Sequence, residues 1–133
     1  MQLSDTVRDA QNDSIETTIG ASAILKIYDL TAGAPANCAA AITGTVLATV
    51  TLPADWANAS SGGVKTFLGT WEDASADNAG VADFFRVYNS GETVCHMQGT
   101  VGQGSGDMSL DNTTMEAGQP FTINTFTLTA GNA

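Results

Sequence analysis

SAILKIYD, Ser22 to Asp29, decides the fold. Upstream of Gly20 the apolar residues recur at helical spacing; inside this stretch they alternate. In an extended chain Ala23, Leu25 and Ile27 share one face, and Ile24, Lys26 and Tyr28 share the other. The next run, TVLATVTL (45–52), repeats the pattern, with Val46, Ala48 and Val50 opposite Leu47, Thr49 and Thr51. Further alternating runs follow in VKTFLGTW, VADFFRVYN, TVCHMQGTV, DMSLD and PFTINTFTLTA. Threonine-rich alternation bounded by Gly, Asn, Asp and Ser is the mark of strands with turns between them. The expectation is a mainly β chain: an antiparallel β-sandwich, jelly-roll-like, over residues 21–133.

Two local features refine that reading. Asn89-Ser90-Gly91-Glu92 is a turn signal between alternating runs, so residues 81–100 are expected to form a β-hairpin. In the last run Phe121 and Ile123 share one parity while Phe126 and Leu128 share the other. A bulge near Asn124–Thr125 reconciles them.

Upstream, LSDTVRDAQNDSIETTIG reads as a short helix within an N-terminal segment, residues 1–20. Ser4 can cap it, Asp5 lies in the first turn where the helix dipole favours an anion, and Gly20 suits the position just past the end. Val7, Ala10, Ile15 and Ile19 make a narrow apolar stripe, and Arg8, Asp9, Asn12, Asp13 and Glu16 make the other faces polar. Such a helix can rest on its own sheet or on a neighbouring subunit.

At 133 residues the chain fits one domain. Fourteen acids face four bases (Arg8, Lys26, Lys65 and Arg86), a formal charge of −10. That charge repels phosphate backbones and anionic membranes, which argues against both as partners. No apolar run approaches the roughly 20 residues of a membrane helix. The polar, acidic start MQLSDTVRDAQNDS is unlike a secretory signal, so a soluble protein made in a cytoplasm is expected.

His96, the only histidine, stands beside Cys95 in ETVCHMQG (92–99). On a strand Cys95, Met97 and Gly99 face one way and Val94, His96 and Gln98 the other, so neighbours cannot converge on one metal or proton. A zinc site needs three or four ligands, and no GxSxG or HExxH accompanies them. His96 therefore reads as a strand histidine. Cys38 and Cys95 form no CxxC, so free buried thiols are expected, with a Cys38–Cys95 bridge as the alternative.

WEDASADNAG (71–80) spaces Asp73, Ser75 and Asp77 like a calcium loop. The glycine and the closing glutamate of such a loop are missing, which leaves a solvated acidic loop with weak cation binding open. The glycines of GTVGQGSGDM (99–108) precede a strand and carry no lysine, unlike a phosphate cradle. No cofactor and no catalytic residue is expected, hence no enzyme. In LPADW, Pro53 ends a strand and a turn fixes Trp56, either plugging a corner of the sandwich or anchoring a subunit contact. Trp71, Val7 and Ile15 are the other candidate anchors.

Several separated stretches carry a resemblance: DSIETTIGASAILKIYD (13–29), PANCAA (35–40), TGTVLATVTLPADW (43–56), GTW (69–71), FRVYNSGETVCHMQGTVGQGSGDMSLDNTT (85–114) and FTINTFTLTAGNA (121–133). Together they make the chain resemble a family of small proteins encoded among the virion genes of tailed bacteriophages and prophages. The resemblance implies a virion component, foremost a capsid decoration (cement) protein. It would be assembled in the bacterial host cytoplasm, oligomeric, and bound to the major capsid protein or other virion proteins. A neck, tail or fibre-adaptor role is the nearest rival, and a host-surface binding module belongs to a different class. Threonine-rich strands would allow strand addition between neighbours, with the N-terminal helix as a clamp onto a partner.

Overall fold

The computed structural model describes residues 1–131; Asn132 and Ala133, the end of the last quoted stretch, lie outside them. One helix, α1 (Asp5–Ile19), precedes β1 (Ile24–Leu30), β2 (Gly44–Thr51), β3 (Val64–Thr66), β4 (Glu72–Asp73), β5 (Gly80–Val81), β6 (Phe84–Tyr88), β7 (Cys95–Gly102), β8 (Met108–Leu110), β9 (Thr114–Met115) and β10 (Phe121–Thr129). The protein is mainly β with one helix. Every strand anticipated from alternation is present; the two-residue β4, β5 and β9 were too short to show a period.

The main sheet runs β2-β1-β6-β7-β8-β10-β3, with β4 also on β10, and β5–β9 form a small ribbon. The sheet is mixed rather than wholly antiparallel, because β7 and β8 pair in parallel. The glycine loop between them explains this. Asp107 accepts hydrogen bonds from the Thr100 amide and hydroxyl, both at 2.9 Å, so the excursion closes on its own start and the chain leaves in the direction it arrived. The loop is thus tied rather than a slack connection.

Three irregularities set which side chains reach the core. The bulge expected in β10 is there: Ile123 pairs with Leu110 and Thr125 with Ser109, which skips Asn124 and lets Ile123 and Phe126 both be buried. In β2 the register skips Leu47, so Val46 opposes Tyr28 while Leu47 joins Ala48 and Val50 in the core. Strict alternation would have put Leu47 outside. In the 84–102 hairpin Tyr88 pairs with Cys95 and Val87 with Met97, skipping His96. Cys95 and Met97 therefore lie on opposite faces, which corrects their expected shared parity.

The core gathers Leu25, Ile27, Leu47, Trp56, Trp71, Phe85, Met108, Phe121 and Phe126. Phe85 on β6 meets Phe126 on β10 edge to face at 5.8 Å between ring centres. Those strands are three places apart in a sheet whose neighbours are spaced about 4.8 Å, so the sheet bends over its own core. Neither end strand is bare. Asp77 and Asn78 donate to the Leu47 and Val46 carbonyls on β2, and the Asn58 amide donates to the Thr66 carbonyl on β3. Strand addition by a neighbour would have to displace those segments.

Candidate functional site

α1 begins and ends as its sequence dictates. The Ser4 hydroxyl accepts from the Val7 amide at 3.4 Å, and Gly20, with φ of 86°, stops it. Its seat is the unexpected part. Only the C-terminal end of the apolar stripe packs: Ile19 is buried and Ile15 lies against the core, whereas Val7 is 45% exposed and outside the core cluster. The polar face does the docking. Asp9 accepts from the Gly63 amide at 2.7 Å and the Ser60 hydroxyl at 2.9 Å. Asn12, 2% exposed, donates to the Gly63 carbonyl at 2.8 Å. Gly63 has φ of 80°, which favours glycine, and a side chain there would push the Arg8 guanidinium aside.

Lys65 is the centre of this dock. On β3 its side chain points inward beneath α1 and is 2% exposed. A buried ammonium needs oxygen partners. Lys65 Nζ has three: Asp13 Oδ1 at 2.8 Å, Glu16 Oε2 at 2.7 Å and the Asn58 carbonyl at 2.8 Å. The hydrogen bond from Lys65, with a second from the Ser60 amide, holds the Asp13 carboxyl below its ordinary range. Burial pulls Lys65 down, but its bonds to Asp13 and Glu16 outweigh that, and it titrates above the usual lysine value. The shallow groove alongside, lined by Asp13, Glu16, Thr17, Asp55, Asn58 and Leu68, has in Lys65 a cation already satisfied by the chain itself.

Trp56 and Trp71 stand at the same end, both fully buried, with rings edge to face at 6.1 Å. The Trp56 indole donates to the Gly20 carbonyl at 3.0 Å, tying the helix exit to the sheet corner. Both tryptophans are core fillers of this chain.

A second docked segment lies over β6 and β7. Residues 31–43, between β1 and β2, are fixed by a Cys38–Cys95 disulfide. Free thiols were expected; the correction is that the chain leaves none. The spacing of 57 residues hid a pair that the β6–β7 bulge brings together, by turning Cys95 to the outer face. Beneath the segment Arg86, 4% exposed, donates to the Asn37 and Ala40 carbonyls at 3.1 and 2.8 Å and to Gln98 Oε1 at 3.1 Å. Gln98 donates onward to the Pro35 carbonyl at 2.9 Å. Next to them the Tyr28 and Tyr88 hydroxyls meet at 3.0 Å, and burial together with that bond raises the Tyr28 phenol strongly.

The remaining sequence candidates have simple places. His96 is exposed at the bulge, and its neighbour Cys95 is committed to the disulfide. In the acidic loop Asp73 accepts from the Ser75 amide at 2.9 Å and Asp77 from the Thr49 hydroxyl at 3.3 Å, so both shape the turn. Among the described residues no three His, Cys, Asp or Glu side chains are grouped to hold a metal. No described helix is long and apolar enough to cross a membrane.

Sequence reasoning missed Lys65, Asp9, Asp13, Arg86 and Gln98 as organising residues. A signal existed for two of them: Lys65 and Arg86 are half of the chain's four bases, and both sit within alternating runs.

No protein-family model, no curated protein and no solved structure matches the chain.

Proposed function

We propose that this chain is a structural component of a tailed-phage virion, a capsid decoration protein that clamps the head shell. The observation that carries this reading is where the positive charge has gone. Arg8 pairs with Asp5, Lys26 with Glu92, and Lys65 with Asp13 and Glu16, while Arg86 lies under residues 31–43. All four bases are engaged within the chain, so what faces outward is acidic and hydroxyl-rich. Such an exterior ignores DNA and favours a protein partner with complementary basic or neutral surface. The family resemblance of the sequence agrees with this.

The architecture fits a β-sandwich of jelly-roll kind, supported by the ring contact between Phe85 and Phe126 across the bent sheet. Binding would use side-chain surfaces and loops of an oligomer, since the sheet ends are already occupied. Each contact can be weak, because many copies on one shell act together. A host-glycan module would want exposed aromatics, and both tryptophans are buried.

Gel densitometry of purified virions from a host carrying the gene tests the proposal. Hundreds of copies per particle, with loss of heat or osmotic resistance in particles lacking the protein, is the expected result. A few to some dozens of copies with a defect only in tail joining or adsorption transfers the chain to the neck, tail or fibre. Absence from particles overturns the virion reading.

A further inference from the structure

β1 and β2 are antiparallel neighbours, a connection that two to five residues commonly complete. Here residues 31–43 intervene and cross to the outer side of β6 and β7. Their sequence, TAGAPANCAAAIT, is nearly all small side chains, and not one of these residues is buried. Its apolar side chains are at most half-buried. Its tethers to the strands are the Cys38–Cys95 bond and the carbonyls of Pro35, Asn37 and Ala40 reached by Gln98 and Arg86.

Arg86 differs from the other three bases. Among the described residues it has no carboxylate within ion-pair range, and its buried guanidinium is satisfied by two carbonyls of the segment and by Gln98. If the segment leaves, those two acceptors leave with it, and water must replace them.

We propose that residues 31–43 form a redox-latched strap. With Cys38 and Cys95 reduced, the strap lifts and presents Arg86 on the outer face of β6 and β7; with the bond formed, it closes and hides that charge. Closure is thiol–disulfide exchange with a low-molecular-weight disulfide such as oxidised glutathione. One protein thiolate attacks it, forming a mixed disulfide and releasing one small thiol. The second thiolate then attacks the protein sulfur of that mixed disulfide and releases the other small thiol. Two electrons and two protons pass from the protein to the reagent. In a reducing cytoplasm the strap is open, and in oxidising surroundings outside a cell it is shut. The inference stands on the strap itself and is independent of the virion reading.

The test uses the full chain in three forms: treated with oxidised glutathione, treated with dithiothreitol, and as the C38S/C95S variant. Each is exposed briefly to elastase, which cuts after small residues, and the cuts are located by mass spectrometry. The oxidised form should resist cutting in 31–43 at least about tenfold better than the other two, while all three keep the same uncut strands, as local opening predicts. Equal cutting of the three forms would overturn the latch. So would cutting throughout the reduced chain, which would make the bond a staple of the whole fold. Free thiols persisting after oxidised glutathione would overturn it too.

Discussion

α1 docks on β3 and the loop before it, the 31–43 strap docks on β6 and β7, and the two are fastened by different chemistry. The helix is held by a buried ammonium, Lys65, between two carboxylates, and by amide and carbonyl bonds from Asp9 and Asn12. The strap is held by one covalent bond and by a buried guanidinium between carbonyls. In both cases a base lies inside a β protein and a surface segment supplies the oxygens. The difference is what can undo each one. Protons or loss of a charge should release the helix, and electrons should release the strap.

The largest expected effect breaks the helix half of that comparison. Deleting residues 1–19 removes Asp13 and Glu16 from Lys65 and the buried Ile19 from the core. Removal of the helix opens Lys65 to water but strips the apolar cover of Ile15 and Ile19 from the core, so the truncated chain should lose its cooperative thermal transition in circular dichroism. A soluble, cooperatively folding 20–133 fragment would show instead that the helix is free to clamp a partner.

Next in size is the corner that the helix exit shares with the sheet. Trp56→Ala empties a fully buried site beside Trp71 and removes the bond to Gly20. Large-to-small changes of this kind cost about 3–5 kcal/mol, and urea unfolding should show it. A near-native midpoint would mean that the ring is not a core filler.

Charge comes third. Lys65→Met leaves Asp13 and Glu16 without their shared cation; Asp13 is half exposed, so water takes up part of the loss and the urea midpoint should fall less than in Trp56→Ala. The pH dependence has a definite sign. Asp13 is held below its ordinary value in the folded chain, so its contribution is whole above the unfolded carboxylate value of about 3.9 and drains away as pH falls through the lower folded value. Lys65 is raised, so its contribution is whole below about 10.4 and is lost only as pH climbs through the higher folded value. Thermal melts should therefore weaken in acid in the native chain, and less so in Lys65→Met.

The smallest effect is His96→Ala. The side chain is exposed at a bulge, and surface changes usually stay within about 0.5 kcal/mol. A zinc-dependent property that vanished with His96 while the fold persisted would contradict its structural role.

The division between what the sequence discloses and what it hides follows the same two regions. α1 was legible in full, because Ser4, Asp5 and Gly20 act within one turn of themselves. The strands were legible from threonine-rich alternation, and the β10 bulge from the parity change between Ile123 and Phe126. The bulges at Leu47 and His96 were not, since each depends on the register of a partner strand rather than on its own residues. The strap and its disulfide were hidden for that reason: once His96 is skipped, Cys95 turns outward to meet Cys38. The helix dock was hidden because Asp9, Asn12 and Asp13 look like a solvated face until Lys65 and Gly63 are brought beneath them.

Peptide-resolved hydrogen exchange on the native chain, Lys65→Met and C38S/C95S tests the two-fastening account most directly. The account predicts faster exchange in 5–19 alone for Lys65→Met, and in 31–43 alone for C38S/C95S. Acceleration of both segments in either variant would contradict it, because helix and strap would then be one cooperative unit with a common lock.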